Sequence, residues 1–337
     1  MTTTSTPRAT GIGSWPGEAP LEAARTVLGE LGTPPGVPHL PELPARGPGA
    51  DLTGRAATVL VDLPVDLQPS GWRLVDHPGR DLERARSFAS ADADALAEAA
   101  DGYSGPLKLQ VCGPWTLAAT LWLPRGERSV TDVGATRDLV ESLAEGVARH
   151  VADVRRLVPG AQVVLQLDEP SISAVLSGRL PTVSGFGRLP AVEANVVQQG
   201  LRTVLEGAVR GGAVSTAVHC CAPDVPVALL RGSGADALSL DVTLLGARTW
   251  ESVAVAVEAG TRLWAGAVPT TGDLPSVHDL VDAVRSPWRR VGLPLTDLVD
   301  VTVTPTCGLA GISPVQARQT LTRTVETARE LAEVAAD

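Results

Sequence analysis

Short β-type runs alternate with long amphipathic stretches along almost the whole chain, and this alternation limits the fold more than any single motif. The strand candidates are Ala9–Gly13, Leu107–Val111, Val163–Leu167, Val214–His219, Ala237–Asp241, Leu263–Ala267 and Val301–Thr304, with a weaker eighth near Val37–Leu43. They are short, apolar and rich in Val, Leu or Ile, as strands buried on both faces are. Helix candidates fill the gaps: Leu21–Leu31, Asp81–Asp101, Thr131–Leu157, Ala191–Arg210, Pro226–Gly232, Thr249–Ala259, Val277–Val291 and Pro314–Ala335. Strict β/α alternation requires a parallel sheet with crossover helices. The expected fold class is α/β, a (β/α)8 TIM barrel over residues 8–337 with residues 1–7 as a flexible N-terminal tail. An open doubly wound sheet is the alternative. No Gly-rich dinucleotide fingerprint follows the first strand, and no Gly-x4-Gly-Lys phosphate loop is present.

At 337 residues, 44% hydrophobic and 20% charged, the chain can bury a large core and is not a disordered sequence. Its net charge is −10, and 27 of its 28 basic residues are Arg, which argues against a nucleic-acid or anionic-membrane surface. No apolar run has the length of a membrane-spanning helix, and MTTTSTPRAT lacks the apolar centre of a signal peptide, so the expected location is the cytoplasm. Thiols stay reduced there. The four Cys are therefore core filler, metal ligands or reactive thiols. The 34 Gly and 27 Pro imply many tight connections. They are densest in residues 33–80, which read either as an irregular Pro/Gly-rich insertion after the first helix or as a lid over a barrel mouth.

In such a barrel the chemistry sits at the C-terminal ends of the strands. Those ends carry Ile12-Gly13-Ser14-Trp15-Pro16, Cys112-Gly113-Pro114-Trp115-Thr116, Gln166-Leu167-Asp168-Glu169-Pro170, His219-Cys220-Cys221, Asp241 and Thr304-Pro305-Thr306-Cys307-Gly308. Residues two apart on a strand point to the same side, so His219 and Cys221 can bind one ion while Cys220 points away. Asp241 ends the next strand and Cys307 the last. One imidazole, two thiolates and a carboxylate suit Zn2+. Taken singly, each Cys is more simply a small buried hydrophobe.

These motifs resemble those of the cobalamin-independent methionine synthase family, specifically its catalytic C-terminal barrel, within the larger group that includes uroporphyrinogen decarboxylase. Besides the segments above, Ala235–Asp241 and Leu309 carry the likeness. The resemblance implies transfer of a methyl group to the thiol of homocysteine, with Zn2+ as cofactor. It implies the ligand set His219, Cys221, Asp241 and Cys307, although the family has Glu where Asp241 stands, one methylene longer. Ile12, Gly13, Ser14 and Asp168 would hold the amino-acid end of homocysteine, with Glu42 in His39-Leu40-Pro41-Glu42 as candidate second acid. Asp168 and Cys221 are the candidate catalytic residues. Trp115 and Trp122 either stack on a flat cofactor or fill the core; Trp122 reads as core, and Trp115 is carried as a candidate substrate contact.

Two departures bear on the methyl donor. The family has a His after the strand matching Leu263–Ala267, whereas here Gly266–Asp273 contains none. The family's full-length members also carry an N-terminal barrel that helps bind the folate tail. A net charge of −10 with a single Lys is a poor surface for a polyanion. Of the two donors weighed, methyltetrahydrofolate and a methylated corrinoid protein, these departures favour the corrinoid protein. Two other readings compete. One is a uroporphyrinogen decarboxylase-like enzyme, with Arg46, Arg55, Arg73 and Arg80 as its polyacid-binding cluster. The other is a zinc-binding relative without catalysis.

Overall fold

A computed structural model describes residues 6–337; residues 1–5 of the expected tail lie outside the described residues. Among the described residues ten strands form: β1 (Arg8–Thr10), β2 (Gly36–Val37), β3 (Val65–Gln68), β4 (Gly71–Leu74), β5 (Gly105–Cys112), β6 (Ala161–Asp168), β7 (Ser215–Cys220), β8 (Ala237–Asp241), β9 (Arg262–Val268) and β10 (Thr302–Pro305). Eight of them make one parallel sheet in the order β2-β1-β10-β9-β8-β7-β6-β5. Past the end of β2 the chain stays extended. His39 pairs in parallel with Lys108, and Leu40 N–H donates to the Lys108 carbonyl at 3.0 Å. That contact joins the two edges, so the sheet is a barrel and the open-sheet alternative falls.

Side-chain alternation divides the barrel into an outside and an inside. The outward residues of β5 and β6, such as Leu107, Leu109, Val163, Leu165 and Leu167, enter the large core beneath the helices. Inside, Val164, Ala217, Ala237 and Trp264 form a separate apolar plug. On the same inner face, further along each strand, stand polar residues: Lys108 and Gln110, Gln166 and Asp168, His219, Ser239 and Asp241. The strand runs read as apolar on both faces thus carry an inward polar stripe towards their C-terminal ends.

The long helices bury one stripe each, and two of the longest begin with side-chain caps. Asp132 accepts from Ala135 N–H at the start of Val133–Leu157. Ser313 and Gln316 form a reciprocal capping box at Pro314–Ala336. Three shorter helices, Leu52–Val59, Pro114–Thr120 and Ile172–Leu176, add to the predicted set.

Residues 33–80 differ from expectation in being only partly irregular. They contain β2, the helix Leu52–Val59 and the antiparallel hairpin β3–β4. Asp51 caps that helix by accepting from Gly54 N–H, and the Trp72 indole donates to its carboxylate at 3.2 Å. Arg46 and Arg55 both reach the buried Asp92, at 2.7 and 2.5 Å, tying the segment to the helix Arg80–Ala99. These buried ion pairs fasten the part of the segment around Arg46 and Arg55 to that helix.

Candidate functional site

The sulfur side of the mouth is built by β7, β8 and β10. His219 and Ser239 face each other in register, and the His219 Nδ1 lies 3.1 Å from both the carbonyl and the hydroxyl of Ser239. The Ser239 carbonyl can only accept, so Nδ1 carries a proton and donates to it. Just beyond β7 and β10, the sulfurs of Cys221 and Cys307 are 3.9 Å apart. Hydrogen bonding from Cys221, and then from His219, lowers Cys307 to about 4. The same bond to Cys307, and then burial, pushes Cys221 upward. Cys220 points the other way and is buried in the core, as its parity predicts.

Two thiolates on one tetrahedral zinc, each at roughly 2.3 Å, sit roughly 3.8 Å apart, close to the observed sulfur separation. With the imidazole oriented by Ser239, the donor set of His219, Cys221 and Cys307 fits zinc chemistry. Asp241, the expected fourth ligand, ends β8 at the same end of the barrel and is engaged by the turn that follows it. Its Oδ1 accepts from Thr243 N–H at 3.0 Å and from the Thr243 hydroxyl at 2.5 Å, capping the turn Val242–Leu244. Among the described residues no three His, Cys, Asp or Glu side chains close around a point where an ion would sit.

The opposite side is a buried polar network. Lys108, the only Lys in the chain, is 0% exposed. It donates to the Ile12 carbonyl at 2.7 Å and to Gln110 Oε1 at 3.1 Å. Gln110 passes the chain on to the Leu40 carbonyl at 2.6 Å. Gln166 donates to the Ile12 carbonyl at 3.0 Å and to Asp168 Oδ1 at 2.6 Å. Burial lowers Lys108 to about 8, against the opposing pull of Asp168 and Glu42. Burial likewise raises Asp168 to about 6, and nearby Glu42 adds to this while His219, Lys108 and Gln166 oppose it. Lys108, Gln110 and Gln166 are absent from the sequence-derived site. The available signal was a lone Lys and two Gln at alternating positions of otherwise apolar strands.

The loop Ile12–Ser14 joins the two sides. Gly13 lies against Gln110, and a Cβ there would come within 2.7 Å of the Gln110 side chain, so only glycine fits. Ser14 meets the thiol turn: its carbonyl accepts from Leu309 N–H at 2.9 Å, and a Cβ on Gly308 would collide with its hydroxyl. The N–H groups of Gly13 and Ser14 make no hydrogen bond to the described residues. Glu42 is paired with Ser14 across a β-bridge, and its carboxylate takes Arg55 Nε at 3.1 Å.

Trp115 is a correction. It is 1% exposed and faces the helix Ala194–Gly211, donating from its indole to the Val197 carbonyl at 2.8 Å. It is therefore a packing residue behind the barrel wall, out of reach of a substrate. Trp122, by contrast, is buried as expected. Glu169 also turns away from the mouth. Its carboxylate accepts from Trp115 N–H, Thr116 N–H and the Thr116 hydroxyl, capping the helix Pro114–Thr120. The arginines of the decarboxylase reading are spent elsewhere. Arg46 and Arg55 are neutralised on Asp92 and Glu42, Arg73 donates to the Leu123 carbonyl beside Trp122, and Arg80 is exposed. No helix among the described residues is long and apolar enough to cross a membrane.

Comparison with known proteins adds the following. Residues 6–330 match the family described as cobalamin-independent synthase, catalytic domain. Among solved structures, a B12-independent methionine synthase from Shewanella sp. W3-18-1, in complex with selenomethionine, is similar at 18% identity with a TM-score of 0.50. That match covers 72% of this chain and 66% of the other, just under two thirds of its length. GH5_18 from Streptomyces cattleya, in complex with GlcNAc, matches at 15% identity and a TM-score of 0.43 over 98% of this chain and 80% of its own. No curated protein matches the chain.

Proposed function

The chain belongs to the cobalamin-independent synthase catalytic-domain family, and on that premise we propose that it transfers a methyl group to the thiol of homocysteine to form methionine. One observation carries the reading: the loop Ile12–Ser14 is hydrogen-bonded to the turn that bears Cys307, and Asp168 stands in register with His219, so loop, acid and sulfurs gather at one end of the barrel. His219, Cys221 and Cys307 would hold a zinc ion, which when bound favours the deprotonated, nucleophilic form of a substrate thiol.

The rest is done by the chain's own groups. Asp168 supplies a carboxylate for the substrate ammonium, and Glu42 adds a second negative charge nearby. The unpartnered N–H groups of Gly13 and Ser14 are donors for the substrate carboxylate. Both ends of the amino acid are thereby fixed, which aims its side-chain sulfur at the mouth and removes the entropy of finding it. The buried plug of Val164, Ala217, Ala237 and Trp264 closes the barrel floor, so the methyl donor must approach from the open end. The family's description sets cobalamin aside, so methyltetrahydrofolate replaces the corrinoid protein as the proposed donor.

Incubation of the purified protein with homocysteine and methyl-labelled methyltetrahydrofolate should yield labelled methionine. Label that stays on the folate would refute the reading. A calorimetric titration with homocysteine separates it from the zinc-binding relative without catalysis, which would give no heat.

A further inference from the structure

β8 and the turn after it supply the hydrogen bonds that hold two of the expected zinc ligands. Ser239 bonds His219. Thr243 bonds Asp241 twice, its N–H at 3.0 Å and its hydroxyl at 2.5 Å, and both bonds go to Oδ1. Oδ2 takes no hydrogen bond among the described residues. An Asp side chain has only two torsions, so fastening one oxygen to the turn also sets the direction of the other. The register gives that second oxygen room. Asp241 pairs with Gly266 on β9, and Gly266 pairs with Thr304 on β10, three residues before Cys307. Gly266 brings no side chain into this row, and a Cβ there would lie 3.2 Å from the Thr306 Cα. The Asp241 carboxylate therefore stands across a bare glycine from the turn that carries Cys307.

We propose that Thr243 is a positioning residue for the metal: its hydroxyl anchors one oxygen of Asp241 so that the other is aimed as a ligand beside His219, Cys221 and Cys307. The inference rests on the zinc part of the function proposed above and deepens it. Carboxylates that bind a metal are themselves hydrogen-bonded, and those partners fix the angle of approach. The demand is greater for Asp than for Glu, because an arm one methylene shorter has less reach to correct a poor angle. The turn is thus no rival to the metal. One oxygen is spent on Thr243, and a four-coordinate site needs only one from the carboxylate.

The test measures the zinc affinity of metal-stripped full-length protein by competition with the chelator 4-(2-pyridylazo)resorcinol. Thr243→Val keeps the shape and the backbone N–H but loses the hydroxyl. It should bind zinc roughly 10- to 100-fold more weakly, the usual cost of removing a hydrogen bond behind a ligand. Thr243→Ser returns the hydroxyl and should restore most of the affinity. Asp241→Ala should also weaken zinc, and adding Thr243→Val to it should cost nothing further, since the hydroxyl then has no ligand to aim. Unchanged affinity in Thr243→Val overturns the inference. So does a tighter site, which would mean that the hydroxyl holds Asp241 away from the metal, and so do additive losses in the double variant. Wild type that binds no zinc overturns both this inference and the zinc-dependent function. Wild type that binds zinc but forms no methionine overturns the function alone. If Thr243→Val fails to fold, a crystal structure of zinc-loaded wild type decides. Asp241 Oδ2 at roughly 2.0–2.2 Å from the ion with Thr243 still on Oδ1 supports the proposal, and a carboxylate turned away from the ion refutes it.

Discussion

On one side of the barrel mouth, Lys108, Gln110, Gln166 and Asp168 are buried and joined through the carbonyls of Ile12 and Leu40 into a continuous network. On the other, Cys307 is exposed, Cys221 is half-buried, and their sulfurs meet each other, with His219 and the Gly308 backbone beside Cys307. The first side is ordered by the polypeptide itself. The second has donors at a suitable spacing but no cage around them, so its order has to come from whatever it binds. The difference teaches where the protein is ordered without ligand: the polar network is preorganised, and under the proposed function the sulfur side would be completed on binding.

The strongest way to break this comparison is to remove one sulfur. Cys221→Ala or Cys307→Ala should lose most bound zinc and lower methionine formation by about 10²–10⁴-fold, the range for a lost proton-transfer contribution. The melting temperature of the metal-free protein should barely move, because neither thiol belongs to the core. Cys220→Ala, which removes a core sulfur, should leave zinc content unchanged. Metal analysis and calorimetry check all three, and full zinc occupancy in either ligand variant would refute the assignment.

The network side should behave oppositely. Lys108→Met leaves Asp168, Glu42 and the Ile12 carbonyl without their buried cation and should cost roughly 3–5 kcal/mol in urea unfolding, with zinc content preserved. A loss under about 1 kcal/mol would show that the network does not order this side.

Buried carboxylates sharpen the contrast through pH. Burial holds Glu169 at about 7 in the folded chain despite the Trp115 and Thr116 donors, above its ordinary value. Below the unfolded pKa both states are protonated. As pH rises towards 7 the unfolded chain ionises while the folded one keeps its proton, so stability falls, by something on the order of 3 kcal/mol. Metal-free Glu169→Gln should lose most of that slope between about pH 4.5 and 7. An identical slope in the variant would place the titration elsewhere.

The smallest expected effect is Asp168→Asn. Zinc should stay, and homocysteine affinity should fall by roughly 10- to 100-fold. Unchanged affinity in a titration would exclude Asp168 from the ammonium site.

The barrel was legible because most of its strands are short apolar runs separated by amphipathic helices of ordinary length. β2 was faint because its ladder is only Gly36–Val37, wedged among prolines, and its pairing continues through isolated bridges at His39 and Glu42. The helix Leu52–Val59 hid in the same Pro/Gly-rich stretch; its one signal was Asp51 at the cap position. Residue identity at strand ends located the mouth, and parity separated Cys220 from Cys221. Side-chain direction after a strand is not legible in that way. Trp115 sits one residue into a helix that turns it to the back of the wall, and Glu169 follows Asp168 directly yet caps that same helix. Partners were equally hidden: Arg55 finds Glu42 and Asp92 only in the folded chain.

The central claim is that the two sides act on one molecule, the first holding its amino-acid end and the second its sulfur. Zinc-edge X-ray absorption of the purified protein, with and without homocysteine, tests this most directly. The account predicts about one zinc per chain with two sulfur neighbours, rising to three when homocysteine is added. Zinc whose sulfur count ignores homocysteine, or protein that retains no zinc, would contradict it.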